Sequence, residues 1–225
     1  MQKLLFPLFT CLLFCSCKSY YYYPTYQTQI TIQKKNEIQA AVFSDILNNG
    51  ASVNYSITDY VGIGFIHNNF GIAKMTDIYP FFFKNFPQNK KSSLNLSFIP
   101  SYCIGKIEET DYNINVNRIY FQPSLMYTSK YFDIGASYRY SIVNYQIQNI
   151  SINNQANNLD ISKNKSYDFN EASLSIAAGI PFIKLQLAYN TVSRFNDNSF
   201  DYIPESLYLG LVLKQNLSDL FKKKE

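Results

Sequence analysis

The chain has 225 residues, of which 47% are apolar and only 16% charged, with a formal net charge of +4. Soluble proteins carry roughly 25% charge, so a surface facing some solvent other than water, or a hidden polar face, is indicated. The weak, scattered positive charge excludes the basic stripe that nucleic-acid binding requires.

In chain order, Lys3 and the apolar run Leu4–Phe14, broken only by Thr10, come first. This run is shorter than the ~20 residues a membrane-spanning helix needs and predicts a secretory signal over residues 1–16. The stretch Leu13-Phe14-Cys15-Ser16-Cys17 resembles a bacterial lipobox, with Phe14 departing from the usual aliphatic residue. That resemblance implies cleavage before Cys17, a diacylglycerol on its thiol and an acyl chain such as palmitate on the freed amine. Cys11 and Cys15 fall inside the signal, and no Cys or His pair follows at zinc-ligand spacing. Neither a metal nor a disulfide framework is expected, and no cofactor. Cys103 is expected to be a small strand residue. By the sorting rules of such lipoproteins, Lys18, where an Asp would retain the protein at the inner membrane, implies transport to the outer membrane. The acidic tract of surface-exported Bacteroidota lipoproteins is missing after Cys17, so attachment facing the periplasm is expected.

Residues 17–36 are expected to form an extended tether, with a candidate short strand at Gln29–Ile32. From Glu37 to residue 216 the pattern has period two. In Phe132–Ile142, Phe132, Ile134, Ala136, Tyr138, Tyr140 and Ile142 share one face, and Asp133, Gly135, Ser137, Arg139 and Ser141 the other. Such alternation marks half-buried strands. It recurs over 37–45, 50–57, 60–70, 74–85, 92–107, 113–128, 131–148, 165–179, 182–194 and 203–216. The expectation is an all-β protein: an antiparallel up-and-down barrel of about ten strands, eight being the alternative because the first two are short. Residues 217–225 are left as a basic tail.

Tight links ("TD", "SK", "IP") alternate with longer ones rich in Asn and Asp, such as "QNISINNQANNLDISKNK". In an up-and-down order the tight links gather at one end, as in outer-membrane barrels. Both chain termini are expected at that same end.

Alternation does not say which face points inward. A lipocalin-like soluble barrel turns the pattern inside out and holds an apolar ligand. The polar faces here carry Ser, Asn, Gly and Gln with few charges, which suits a filled lumen better than a water-facing surface. Tyr60, Phe86, Tyr127, Tyr131 and Phe182 lie near strand ends, where rings favour a membrane interface. The lead expectation is thus an outer-membrane barrel with a structural or surface-interaction role; the alternative is a soluble periplasmic barrel lipoprotein binding an apolar ligand. Arg118, Asp133, Arg139, Glu171 and Lys184 fall on the polar face and are expected to form a neutralising ion network in the lumen.

The order of the lipobox, "EIQAAVF…GASVNYSITDYVGIGF" and "RIYFQPSLMYTSKYFDIGASYRYSIVNY" resembles small outer-membrane β-barrel lipoproteins of the Bacteroidota type. The resemblance implies an outer-membrane, lipid-anchored protein whose partner is membrane lipid through Cys17. It carries no catalytic motif. The final "DLFKKKE" departs from the terminal aromatic of many such barrels.

Enzymatic chemistry finds little support. His67, in "FIHNNFG", is the one imidazole for a lipid hydrolase or acyltransferase, and a lone His beside Asn residues reads as a solvated loop residue. Glu108 and Glu109 read as solvation. Gly62-Ile63-Gly64 precedes no helix, so it is no phosphate loop. The expected chain is not an enzyme.

Overall fold

In the computed structural model, residues 22–89, 91–108, 113–148, 165–194 and 203–218 are described. Ten strands form: β1 (Glu37–Ser44), β2 (Asn49–Ser56), β3 (Val61–Asn69), β4 (Ala73–Asn89), β5 (Ser92–Glu108), β6 (Asn113–Ser129), β7 (Phe132–Gln148), β8 (Lys165–Ile180), β9 (Ile183–Arg194) and β10 (Glu205–Asn216). Each pairs antiparallel with its sequence neighbours, and β1 closes on β10 from Glu37↔Asn216 to Ser44↔Leu209. The all-β, ten-stranded, up-and-down barrel is therefore as expected. β4 continues past the expected residue 85, because a register shift between Pro87 and Asn89 lets the ladder pass a residue with no N–H.

The wall is taller on one side than the other. β4 to β7 have 17 residues each, whereas β1 and β2 have 8. The connections 57–60, 90–91, 130–131 and 181–182 share the tight-turn end, and 149–164 and 195–204 share the opposite, long-loop end.

The strand alternation resolves into an apolar exterior. Ile63, Phe65, Ile78, Phe98, Phe121, Leu125, Ile134, Leu174, Ile176, Leu187 and Leu209 all face out and are exposed. Aromatic rings bound this belt. At the tight-turn end stand Tyr60, Phe86, Tyr131 and Phe182, with the Lys84 and Lys130 ammonium groups over the Phe86 and Tyr131 rings at 5.3 and 5.1 Å. Toward the loops stand Tyr102 and Tyr138, whose hydroxyls donate to Asn117 and Asn170. Tyr131 and Tyr140 are nine positions apart on one hairpin arm. At ~3.3 Å per residue and a tilt of ~40° that is roughly 23 Å of height, close to the ~25 Å apolar band of outer-membrane barrels.

Beyond the belt the tall wall reverses its polarity without slipping register. Even-numbered residues of β6 stay inward throughout, but Arg118, Gln122 and Ser124 give way to Val116 and Ile114. Their outward neighbours change from Leu125, Phe121 and Ile119 to Asn117, Asn115 and Asn113. This upper storey, apolar inside and polar outside, is built like a water-soluble barrel. Its core joins Met75, Cys103, Ile107, Val116, Val143 and Phe169.

Candidate functional site: a lumen filled by residues 22–33

Residues 22–36 were expected to be a tether beside the membrane. The described part is extended, but it runs inside the barrel, and every residue from Tyr22 to Ile32 is buried. Gln29–Ile32 joins no ladder, so the candidate strand there is absent. Nor do both ends of the described chain share the tight-turn end: Tyr22 lies at the loop end, stacked on Phe169 at 3.7 Å, and its carbonyl faces the Ile203 N–H at 3.5 Å.

A buried extended backbone must find partners for its polar groups. Here the wall side chains supply them. Gln39 donates from Nε2 to the Gln29 carbonyl (2.7 Å) and accepts at Oε1 from the Thr31 N–H (2.9 Å), so one amide side chain does the work of a neighbouring strand. Gln122 donates to the Thr28 carbonyl (2.8 Å), Asn95 to Ile32 (2.6 Å), Lys214 to Thr31 (2.5 Å), Tyr208 to Pro24 (2.6 Å) and Arg139 to Tyr26 (3.1 Å). The plug's side chains answer in kind. Tyr26 donates to Gln186 Oε1 at 2.5 Å, and Gln33 donates to Ser93 and Thr128, both at 2.7 Å.

One flank of the plug packs on rings. Tyr26, Ile30 and Ile32 meet Phe43, Tyr79, Phe81, Phe83, Tyr120 and Tyr208. The "VGIGF" motif makes this possible. Gly62 lies opposite Phe81, and Gly64 opposite Tyr79, in the β3–β4 ladder. A Cβ on either would stand 2.2 or 2.1 Å from the facing ring, so these glycines are the recesses into which the rings lie.

The five residues expected in the lumen all point inward and are all buried. With one further carboxylate they form three ion pairs, two of which share partners. Arg139 pairs with Glu171 at 3.4 Å and Lys184 with Asp133 at 2.6 Å, while Arg118 pairs with Asp77, which the sequence did not single out, at 3.2 Å. Thr25 links the first and the last, its hydroxyl taking a hydrogen bond from each guanidinium. Both guanidiniums also lie over the Tyr120 ring, at 5.0 and 4.4 Å. Glu171 accepts further bonds from Tyr22 (2.7 Å) and Ser141 (3.1 Å). Pairing of this kind keeps buried charges tolerable, and the plug belongs to it.

With the centre occupied, open space remains at the ends. A vestibule of about 550 Å³ at the tight-turn end is lined by Lys34, Glu37, Lys91, Asp133, Lys184 and Lys214, among others. Near Gln29 and Gln186 only about 10 Å³ is free.

Neither a protein-family model nor a curated protein sequence matches the chain. Solved structures do. The N-terminal β-barrel domain of Pseudomonas aeruginosa OprF is 11% identical over 81% of this chain and 100% of its own, with a TM-score of 0.36. The KdgM porin is 10% identical over 79% and 98%, with a TM-score of 0.39. The translocator domain of the autotransporter NalP from Neisseria meningitidis is 9% identical over 79% and 86%, with a TM-score of 0.32.

His67 is half-buried on β3 and its Nδ1 lies 2.9 Å from the Thr76 hydroxyl, in a strand instead of the expected loop. Among the described residues no three His, Cys, Asp or Glu side chains come close enough to hold a metal. Cys103 is buried in the upper core with a free thiol. Glu108 is exposed and takes a bond from Lys106 at 2.7 Å. Cys17, Glu109 and the basic tail 219–225 lie outside the described residues.

Proposed function

We propose that this chain is an outer-membrane β-barrel lipoprotein of the Bacteroidota type, lipidated at Cys17, with a structural or surface-interaction role and no catalytic one. The observation that carries it is the combination of an outward apolar belt between two aromatic girdles with an interior occupied by the chain's own residues 22–33. Apolar area facing outward on this scale is stable in lipid and a liability in water. A soluble carrier would need the reverse: an apolar interior left empty for its ligand.

The filled centre also favours a closed barrel over a pore. What such a protein offers to its surroundings is its loop end, where "NISINNQANNLDISKN" and "RFNDNSFD" supply neutral amide and acidic groups suited to polar contacts. Function in this reading lies in the loops and the anchor, with the barrel as a rigid base.

The test uses the full chain in detergent and in planar bilayers. The barrel should require detergent after Cys17→Ala, should migrate faster unheated than heated on a gel, and should show no steady single-channel conductance. A Cys17→Ala chain that dissolves without detergent would end the membrane-barrel reading. A steady open conductance would end the closed-barrel reading. Labelled palmitate that enters the parent and the Cys17→Ala chain equally would end lipidation at Cys17.

A further inference from the structure

Strand β1 starts at the tight-turn end, where Glu37 faces Asn216. The residues just before it reverse direction. Asn36 sits at φ 61°, a left-handed conformation Asn tolerates, its N–H bonds the Ser56 carbonyl at 3.0 Å, and the Lys35 N–H bonds Asp59 at 2.7 Å. From that hairpin the chain, followed backwards, climbs the lumen. Gln33 touches Ser93 and Thr128 near the tight turns, Thr28 touches Gln122 at mid-height, and Thr25 meets Arg139. Tyr22 stacks on Phe169 of β8 and abuts Ile203, two residues before β10. The described plug therefore reaches the long-loop end at Tyr22.

We infer that the plug carries the anchor across the bilayer: the lipid on Cys17 sits in the leaflet beneath the long loops, on the face opposite the tight turns. The inference rests on the lipoprotein reading above. Cys17 and Tyr22 are five positions apart, a reach of at most ~18 Å at ~3.6 Å per residue. A return to the other leaflet would need more than the roughly 23 Å belt height, through a lumen already filled, and the closed ladder leaves no gap in the wall. The outward route is short. Tyr22 packs on Phe169 and Glu171 of β8, while its carbonyl faces Ile203, which leads into β10 at the low rim of β10, β1 and β2. A lipid at that rim enters the adjacent leaflet directly. This reverses the periplasm-facing attachment expected from the residues after Cys17. It makes the protein an anchor whose lipid and loops share one face.

Single cysteines read out the geometry without disturbing the plug. Ser19→Cys reports the segment after the anchor, Asn154→Cys the β7–β8 connection, and Lys91→Cys the β4–β5 turn. A membrane-impermeant maleimide is applied to intact and to permeabilised cells, with gel mobility showing that each variant folds. The parent serves as blank, its Cys103 being buried. Ser19→Cys and Asn154→Cys should label together in intact cells, and Lys91→Cys only after permeabilisation. Ser19→Cys labelling with Lys91→Cys, and not with Asn154→Cys, would overturn the inference. Palmitate incorporation separates the two failures: absence at Cys17 removes the lipoprotein reading, whereas incorporation combined with the wrong maleimide grouping removes the crossing alone.

Discussion

Arg118 and Arg139 donate to the same oxygen. The buried Thr25 hydroxyl accepts from Arg118 at 2.7 Å and from Arg139 at 2.8 Å. Asp77 and Glu171 balance the two cations from the wall, so this single plug hydroxyl ties both ion pairs to the segment that fills the lumen. Thr25→Val keeps the shape and removes the acceptor. Leaving buried donors without it costs about 1–3 kcal/mol, and the temperature at which the folded gel band converts to the unfolded one should fall. Thr25→Ser keeps the oxygen and should fall little.

Glu171 is the most heavily used carboxylate in the lumen, holding Arg139, Tyr22 and Ser141 at once. Glu171→Gln leaves the Arg139 guanidinium buried without its anion, a loss of about 3–5 kcal/mol by the usual size of such breaks. Replacing both partners, Arg139→Met with Glu171→Met, should cost less than Glu171→Gln alone, because no charge is left stranded. Urea unfolding from detergent micelles, comparing the three chains, measures the order.

Gly64 and Tyr79 should behave as a unit. A valine at Gly64 places carbon where the Tyr79 ring lies, at 2.1 Å for the Cβ alone, so Gly64→Val should block folding or lower the yield of the compact band sharply. Adding Tyr79→Ala removes the ring and should restore much of that yield. Two independent defects would instead add, and the double chain would be worse than either.

The outer boundary of the belt can be mapped with charge. Leu174 pairs with Ala136, midway between the two girdles, and is 64% exposed. Leu174→Arg should cost about 2–4 kcal/mol of folding stability in phospholipid vesicles, the range for arginine at a bilayer midplane. Asn144→Arg, also outward but on the upper storey, should change it by a few tenths at most. Equal costs at the two positions would mean that the belt extends to the rim.

Alternation made the wall legible because each strand divides two environments, and side chains of period two must sort between them. All ten strands, and the placement of Arg118, Asp133, Arg139, Glu171 and Lys184 on the polar stripe, follow from that sorting alone. Asp77 was missed because "KMTDIYPFFF" is apolar on both faces: Ile78 and Phe82 face out, Tyr79, Phe81 and Phe83 face in, and periodicity carries no contrast. The plug was missed for a related reason. It has no ladder and no second face, so it shows no period to find. Its signal was compositional. Tyr20 to Gln33 holds no charged residue and no glycine, whereas a solvated tether would carry one or the other. Tyr, Thr and Gln in that stretch are side chains that can satisfy buried donors and acceptors.

The amino-acid sequence by itself determined the strands, their up-and-down order and the polar stripe along each, because those depend on neighbours in the chain. Only the tertiary structure decided which stripe faces inward, since a period of two is identical in a barrel and in its inside-out counterpart. It alone also decided what fills the lumen and at which end of the barrel Tyr22 lies. The partners of residues 22–33 lie on strands far along the chain, and the direction of a segment that pairs with side chains instead of a backbone ladder leaves no local trace.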